Sequence, residues 1–263
     1  MRLINLLPNK YLHKEGSMEA LNHLAKTAAV ACAFAVAALV CPVAAQPVDA
    51  RQFVQEIEQA HNAKKYYAHD LVRAEITVRW KGNVKLDGTA TFDTVVGRSR
   101  FDLKNGTVLV FDGESAWVSP ADAEYQGARF DLLTWPYFLA APMKLTDPGT
   151  NLDYNGHLPL REEEHPTVKL TFDAGVGDAP DDWYILYRDP ESHHLRAMSY
   201  IVTYFSGSRE GTEPHAIHYE DYKSIDGIPL SHKWTFYHWS EEKGIHGEPI
   251  GKVQVKNIEF LDG

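Results

Sequence analysis

Val72-Arg73-Ala74-Glu75-Ile76-Thr77-Val78-Arg79-Trp80 alternates without a break between apolar and polar side chains. Val72, Ala74, Ile76, Val78 and Trp80 point one way, and Arg73, Glu75, Thr77 and Arg79 the other, because successive Cβ atoms leave a strand on opposite faces. That period of two marks a strand with one buried and one wet face. The same pattern recurs over residues 85–95, 98–104, 107–111 and 115–118, the last two joined across Asp112-Gly113, a strong hairpin pair. It returns over residues 167–172, 183–187, 195–205, 216–222, 231–239 and 252–260, with turns at Asp189-Pro190-Glu191-Ser192 and Asp226-Gly227-Ile228-Pro229. Residues 183–187 are apolar on both sides, which predicts a central, covered strand. About ten or eleven strands at this spacing predict a mainly β protein, a strongly bent antiparallel sheet forming an open half-barrel.

Two stretches break the pattern. Residues 49–63 read as a helix, with Phe53, Ile57 and Ala60 on one face, Gln55, Glu56 and Gln59 on the other, and Asp49 as N-cap. Residues 120–145 gather Phe130, Leu132, Leu133, Trp135, Tyr137, Phe138 and Leu139 with no period of two. This predicts short helices covering the concave face of the sheet, each ended by a proline, Pro136 or Pro142. Asp147-Pro148-Gly149 marks the exit.

The first 45 residues read as a leader. Lys26 precedes an apolar, alanine-rich run over residues 27–40, and Val43-Ala44-Ala45 offers a small-residue cleavage pattern before Gln46. The run falls short of the ~20 apolar residues of a membrane span, and no later stretch approaches that length. Met18 is a candidate true start. A lipid-modified Cys41 is disfavoured, because Val40 puts a bulky residue before it. The expectation is a periplasmic or secreted chain, residues 46–263 forming one domain without a transmembrane segment. Cys32 and Cys41 both lie in the leader, so the remainder holds no disulfide, thiol nucleophile or cysteine metal site. The net charge of −10 becomes more negative once the leader is removed. Such a chain lacks the basic stripe that nucleic acid requires and is ill suited to an anionic bilayer surface.

The chain resembles the fold family of the Lol lipoprotein carriers, most closely an uncharacterised branch of secreted bacterial proteins. The resemblance rests on Phe111-Asp112-Gly113…Trp117, on Leu133-Thr134-Trp135-Pro136-Tyr137-Phe138 and on Lys144-Leu145…Asp147-Pro148-Gly149. Further on it rests on Val176-Gly177-Asp178…Asp182-Trp183-Tyr184, Asp189-Pro190 and Tyr219-Glu220-Asp221-Tyr222…Asp226-Gly227-Ile228-Pro229-Leu230. It implies a bent sheet closed by short helices around an apolar cavity, with a lipid or other apolar group held in transit. An envelope protein is a further implied partner.

Aromatic side chains are accordingly the first candidate site: Trp80, Phe92 and Trp117 as wall, Trp135, Tyr137 and Phe138 as lid, with Trp183 and Tyr200 completing the pocket. Tyr187 and Tyr204 belong to the same aromatic set. Histidines come second. His215 and His218 face opposite ways on a strand, and His232 and His238 lie roughly 20 Å apart along theirs, so no local chelate exists. A zinc site would need histidines and carboxylates converging from different strands. Asp173, Asp178, Asp181 and Asp182 suit calcium by composition but match no calcium-loop spacing, and read as turn chemistry. Gly113-Glu114-Ser115-Ala116-Trp117 lacks the second glycine of a nucleophile elbow, and no phosphate-cradling loop occurs. The sequence therefore predicts non-covalent binding of an apolar or lipid-like ligand without a cofactor. A metal-dependent or other hydrolase with a His/carboxylate site, and a non-catalytic structural or interaction protein, are the alternatives.

Overall fold

The computed structural model describes residues 48–263; the stretch expected to be a leader, with Met18, Cys32 and Cys41, lies outside the described residues. Helix α1 (Ala50–Ala60) starts where Asp49 accepts the Gln52 N–H at 3.0 Å, satisfying one of the donors a helix start leaves free. It buries Phe53, Val54 and Ile57. Asn62 then adopts the left-handed conformation (φ 54°) and divides α1 from a single turn, α2 (Ala63–Tyr66), where the sequence predicts one helix. Among the described residues no helix is long and apolar enough to cross a membrane.

Strand β1 (Leu71–Trp80) buries Val72, Ala74, Ile76 and Val78 almost completely, as its alternation requires. The chain continues through β2 (Asn83–Asp93), β3 (Ser99–Leu103), β4 (Val108–Phe111) and β5 (Ala116–Ser119). After an interruption it resumes with β6 (Thr150–Leu160), β7 (Glu163–Phe172), β8 (Trp183–Arg188) and β9 (Leu195–Tyr200). It closes with β10 (His215–Ile225), β11 (Ile228–Ser240) and β12 (Gly244–Leu261). All twelve form one antiparallel sheet in the order β5-β4-β3-β2-β1-β12-β11-β10-β9-β8-β7-β6.

One strand, β6, goes beyond the sequence reading. Its Asn151, Asp153, Asn155, Gly156 and Pro159 are poor strand formers, and a bulge interrupts its pairing between Tyr154 and His157. It is an edge strand, where unpaired backbone faces water and such residues are tolerated. Its end lies over the start of β12: a Cβ on Gly244 would stand 1.9 Å from the Pro159 carbonyl oxygen, so only glycine fits there. This contact helps enclose a second small core on the reverse face, with Ile185, Tyr187, Tyr237, Trp239 and Ile245. Strand β9 is shorter than the predicted 195–205, because the chain leaves the sheet after Tyr200 and turns at Thr203–Ser206.

The strand order fixes what lies on the concave face. β5 and β6 are consecutive in sequence yet occupy opposite edges of the sheet, so the segment between them must cross it. Helix α3 (Ala128–Ala140) lies in this crossing, followed by a 3-10 turn, Ala141–Met143. Leu132, Trp135, Phe138 and Leu139 bury against the main core.

Pro136 does not end a helix, as the sequence predicts, but sits inside α3. A proline cannot donate to the carbonyl four residues earlier, here that of Leu132. The Ser99 hydroxyl of β3 donates to this carbonyl at 2.6 Å instead. Pro142 leaves the Phe138 carbonyl in the same position, and the Tyr219 hydroxyl of β10 donates to it at 3.1 Å. Two strands thus repair the helix and dock it at two points. Ser99→Ala is expected to destabilise the fold by about 1–3 kcal/mol, the cost of an unmet buried acceptor. Urea unfolding measures it, and a loss below about 0.5 kcal/mol would show the repair to be dispensable.

Candidate ligand-binding clefts under the covering helix

Helix α3 divides the concavity into two adjoining clefts. The first, of about 490 Å³, lies against Tyr137, Leu133, Phe172, Tyr184 and Val176. The second, of about 550 Å³, lies against Trp135, Trp80, Phe236, Phe205 and Val78. Phe130, Thr134, Phe138, Tyr200 and Val202 line both, so the partition is the face of α3 and the strand end opposite it. Volumes of this size suit a small ligand, and the walls are aromatic with a few polar tips.

The clefts owe their walls to the packing of rings. Phe138 sits 5.3 Å from Tyr200 and 6.2 Å from Trp135 between ring centroids, and Tyr137 sits 5.8 Å from Tyr184. Burial raises the pKa of the Tyr137, Tyr184 and Tyr200 hydroxyls, so they remain neutral donors. Asp131, on the second cleft, accepts the Tyr125 hydroxyl at 2.7 Å and the Trp135 indole N–H at 2.7 Å. Burial raises its pKa as well, and those two hydrogen bonds partly oppose the shift.

One arginine on the first cleft bridges two loops. The Arg129 guanidinium grips both carboxylate oxygens of Asp178, in the β7–β8 loop, and donates to the Glu114 carbonyl, in the β4–β5 hairpin. A single side chain on α3 therefore ties loops from the two halves of the sheet across the concavity. Its hydrogen bond also holds the Asp178 carboxyl below the usual range.

The residues expected from sequence divide three ways. Trp135, Tyr137, Phe138, Tyr200 and Trp80 line the clefts, with Tyr204 beside them. Phe92 is 1% exposed and lines neither cleft; it is part of the core beneath. Trp117 stands on edge strand β5, 59% exposed, with its indole N–H on Asp112. Trp183 and Tyr187 belong to the reverse face, where Trp183 packs on Trp239 and Tyr187 accepts the Trp239 indole N–H. The alternation rule explains this: Tyr184 and Leu186 take the concave side, so their neighbours cannot. Phe130, Thr134 and Val202 line both clefts and were not read as site residues from sequence, although Phe130 was read as part of the cover. The signal of Phe130, an apolar residue in the cover, and of Val202, another beyond the end of a strand, does not distinguish lining from filling, and Thr134 carries none.

The acidic loop has internal partners. Asp178 holds Arg129, Asp173 accepts the Asn151 amide at 2.8 Å, and Asp182 accepts both the N–H and the hydroxyl of Thr203 at 2.7 Å. Elsewhere, Glu213, His215 and His238 bring one ligand atom each to within 4.8 Å of one another, the one such group of histidines and acids among the described residues.

In fold, this bent antiparallel sheet with a helix laid across its concave face is similar to solved structures that include a LolA superfamily protein. A LolA superfamily protein from Nitrosomonas europaea superposes with a TM-score of 0.52 at 9% identity, over 82% of this chain and 94% of that one. A domain from Vibrio parahaemolyticus named for outer membrane lipoprotein sorting does so with a TM-score of 0.50 at 10% identity, again over 82% of this chain and 94% of its own. The model of a family of unknown function, DUF6503, matches residues 129–223, from the first turn of α3 into β10. No curated protein matches the chain.

Proposed function

We propose that this protein binds an apolar or lipid-like ligand in the clefts under α3 and carries it through the periplasm, receiving it from or passing it to an envelope protein. The observation that carries the reading is the pair of adjoining, mainly apolar clefts that meet at Phe130, Thr134, Phe138, Tyr200 and Val202. The name of the Vibrio domain, lipoprotein sorting, agrees with an apolar cargo. Each buried methylene contributes about 0.8 kcal/mol, so ten contribute on the order of 8 kcal/mol before the cost of association is met. No covalent step is needed, and opening the Arg129 tie would release the ligand.

Solvent extraction of the natively purified protein, followed by mass spectrometry, tests the reading together with uptake of a fluorescent fatty acid. One apolar equivalent per chain is expected. Thr134→Arg, which sets a charge beside both clefts on a half-buried face of α3, should weaken uptake by more than tenfold. An empty extract with no uptake would overturn it.

A further inference from the structure

We propose that Glu213, His215 and His238 form a binding site for a divalent transition-metal ion, zinc or copper, at the edge of the second cleft. The site is assembled by strand register. His215 on β10 lies directly opposite His238 on β11, and His238 directly opposite His246 on β12. Side chains in register share one face, so three imidazoles stand in a row on the concave side. The His215 and His238 rings are 5.5 Å apart between centroids, and the His238 and His246 rings 6.3 Å apart and nearly parallel. Glu213 brings a carboxylate to the same point, its oxygen and one nitrogen of each of His215 and His238 within 4.8 Å of one another.

The donors select the ion. Two imidazoles and a carboxylate suit zinc, copper or nickel, whereas calcium and magnesium demand oxygen ligands. Bonds of about 2.0–2.1 Å around a tetrahedral ion place ligand atoms roughly 3.4 Å apart. The three groups therefore need to close by only about 1–1.5 Å, within the reach of side-chain rotation on two half-buried rings and one exposed carboxylate. Three protein ligands leave a tetrahedral ion one open position. Glu213 and His215 line the second cleft, so this position borders it, flanked by Trp80, whose ring stands 6.3 Å from that of His215. His246 is next in line to His238.

The full chain, stripped of metal by a chelator and dialysed without lipid, is titrated with Zn²⁺ by calorimetry and with Co²⁺ by visible absorption. One equivalent is expected to bind at micromolar or lower Kd, with the intense absorption of a tetrahedral Co²⁺ centre. His215→Ala and His238→Ala should each weaken binding at least tenfold, and Glu213→Gln somewhat less. His157→Ala, an exposed histidine on β6, should leave it unchanged. In the unsubstituted protein, paramagnetic Ni²⁺ should broaden the ring signals of His215 and His238 before those of any other histidine, a readout that needs no variant to fold. Absence of binding at millimolar Zn²⁺, or binding that survives loss of both histidines, would overturn the site. Since no apolar ligand enters the measurement, its failure leaves the cargo reading untouched.

Discussion

His61→Ala is expected to lower the free energy of unfolding by roughly 3–6 kcal/mol at neutral pH and to flatten its dependence on acid. His61 is 0% exposed and sits where α1 ends. Its Nε2 accepts the Leu195 N–H at 3.0 Å, so Nδ1 carries the proton and donates to the Pro229 carbonyl at 2.8 Å. One ring thus joins α1 to the start of β9 and the start of β11. Alanine leaves a cavity and two unmet buried backbone groups, a large share of the ~5–15 kcal/mol by which a typical domain is stable.

The pH effect follows from the same geometry. A second ring proton would point at the Leu195 N–H, and burial, the larger cause, already disfavours charge; the pKa falls from 6.5 to about 3. Above pH 6.5 the ring is neutral in both the folded and unfolded chain. Below it the unfolded chain takes a proton that the native state refuses, so stability is lost as pH falls from 6.5 towards 3. The slope approaches ~1.4 kcal/mol per pH unit, and the loss at pH 5.5 is about 1.4 kcal/mol. Burial shifts His165, His194, His218 and His232 in the same direction, so the variant retains part of the acid sensitivity. Urea unfolding at pH 7.5 and 5.5 measures both effects. A variant with unchanged slope, or one that loses under 1 kcal/mol at neutral pH, would mean that His61 does not bridge those strands.

What the sequence revealed depended on whether the physics was local. β1 is legible because each of its residues declares its own face. β6 is not, since an edge strand has little to bury and can carry Asn, Gly and Pro. The run through Pro136 could not be recognised as one helix, because the hydroxyls that repair it belong to Ser99 and Tyr219, far away along the chain. That Trp135, Tyr137 and Phe138 belong to the segment covering the sheet was legible from their clustering. Trp117 and Trp183 were read as pocket residues and line neither cleft, since an aromatic on a strand with apolar residues on both faces, or at a sheet edge, does not declare which side looks inward.

The histidine pair is an instructive case between these. Asp226 and Gly227 both have positive φ, 49° and 73°, the backbone of a two-residue hairpin turn. Such a turn places residues equidistant from it opposite each other, and His215 and His238 are each eleven residues away. The register was therefore contained in the turn, and only the reading of histidines along single strands concealed it. His246 joins them through the following turn between β11 and β12.

Phe138→Ala is expected to cost about 3–5 kcal/mol of stability and yet to widen the range of ligands bound. Phe138 is 4% exposed, in the last turn of α3, with Tyr200, Trp135 and Phe236 around it, and it lines both clefts. Removing the ring gives up its buried area and leaves a void that close-packed neighbours refill only in part. For a chain of this size the loss lowers Tm by on the order of 10 °C. The same void breaches the partition, so an acyl chain too long or too branched for either cleft gains a continuous path through both. Ligand at a hundredfold excess over Kd returns about 2.7 kcal/mol, so the rise in Tm on adding a long-chain fatty acid should be larger for the variant than for the parent. Leu132→Ala is the control, because Leu132 is equally buried on the same helix but lines neither cleft. Both variants should melt early, and only Phe138→Ala should be rescued by the longer chain. Equal rescue of the two would place the ligand elsewhere, since a void then serves no better inside the partition than outside it.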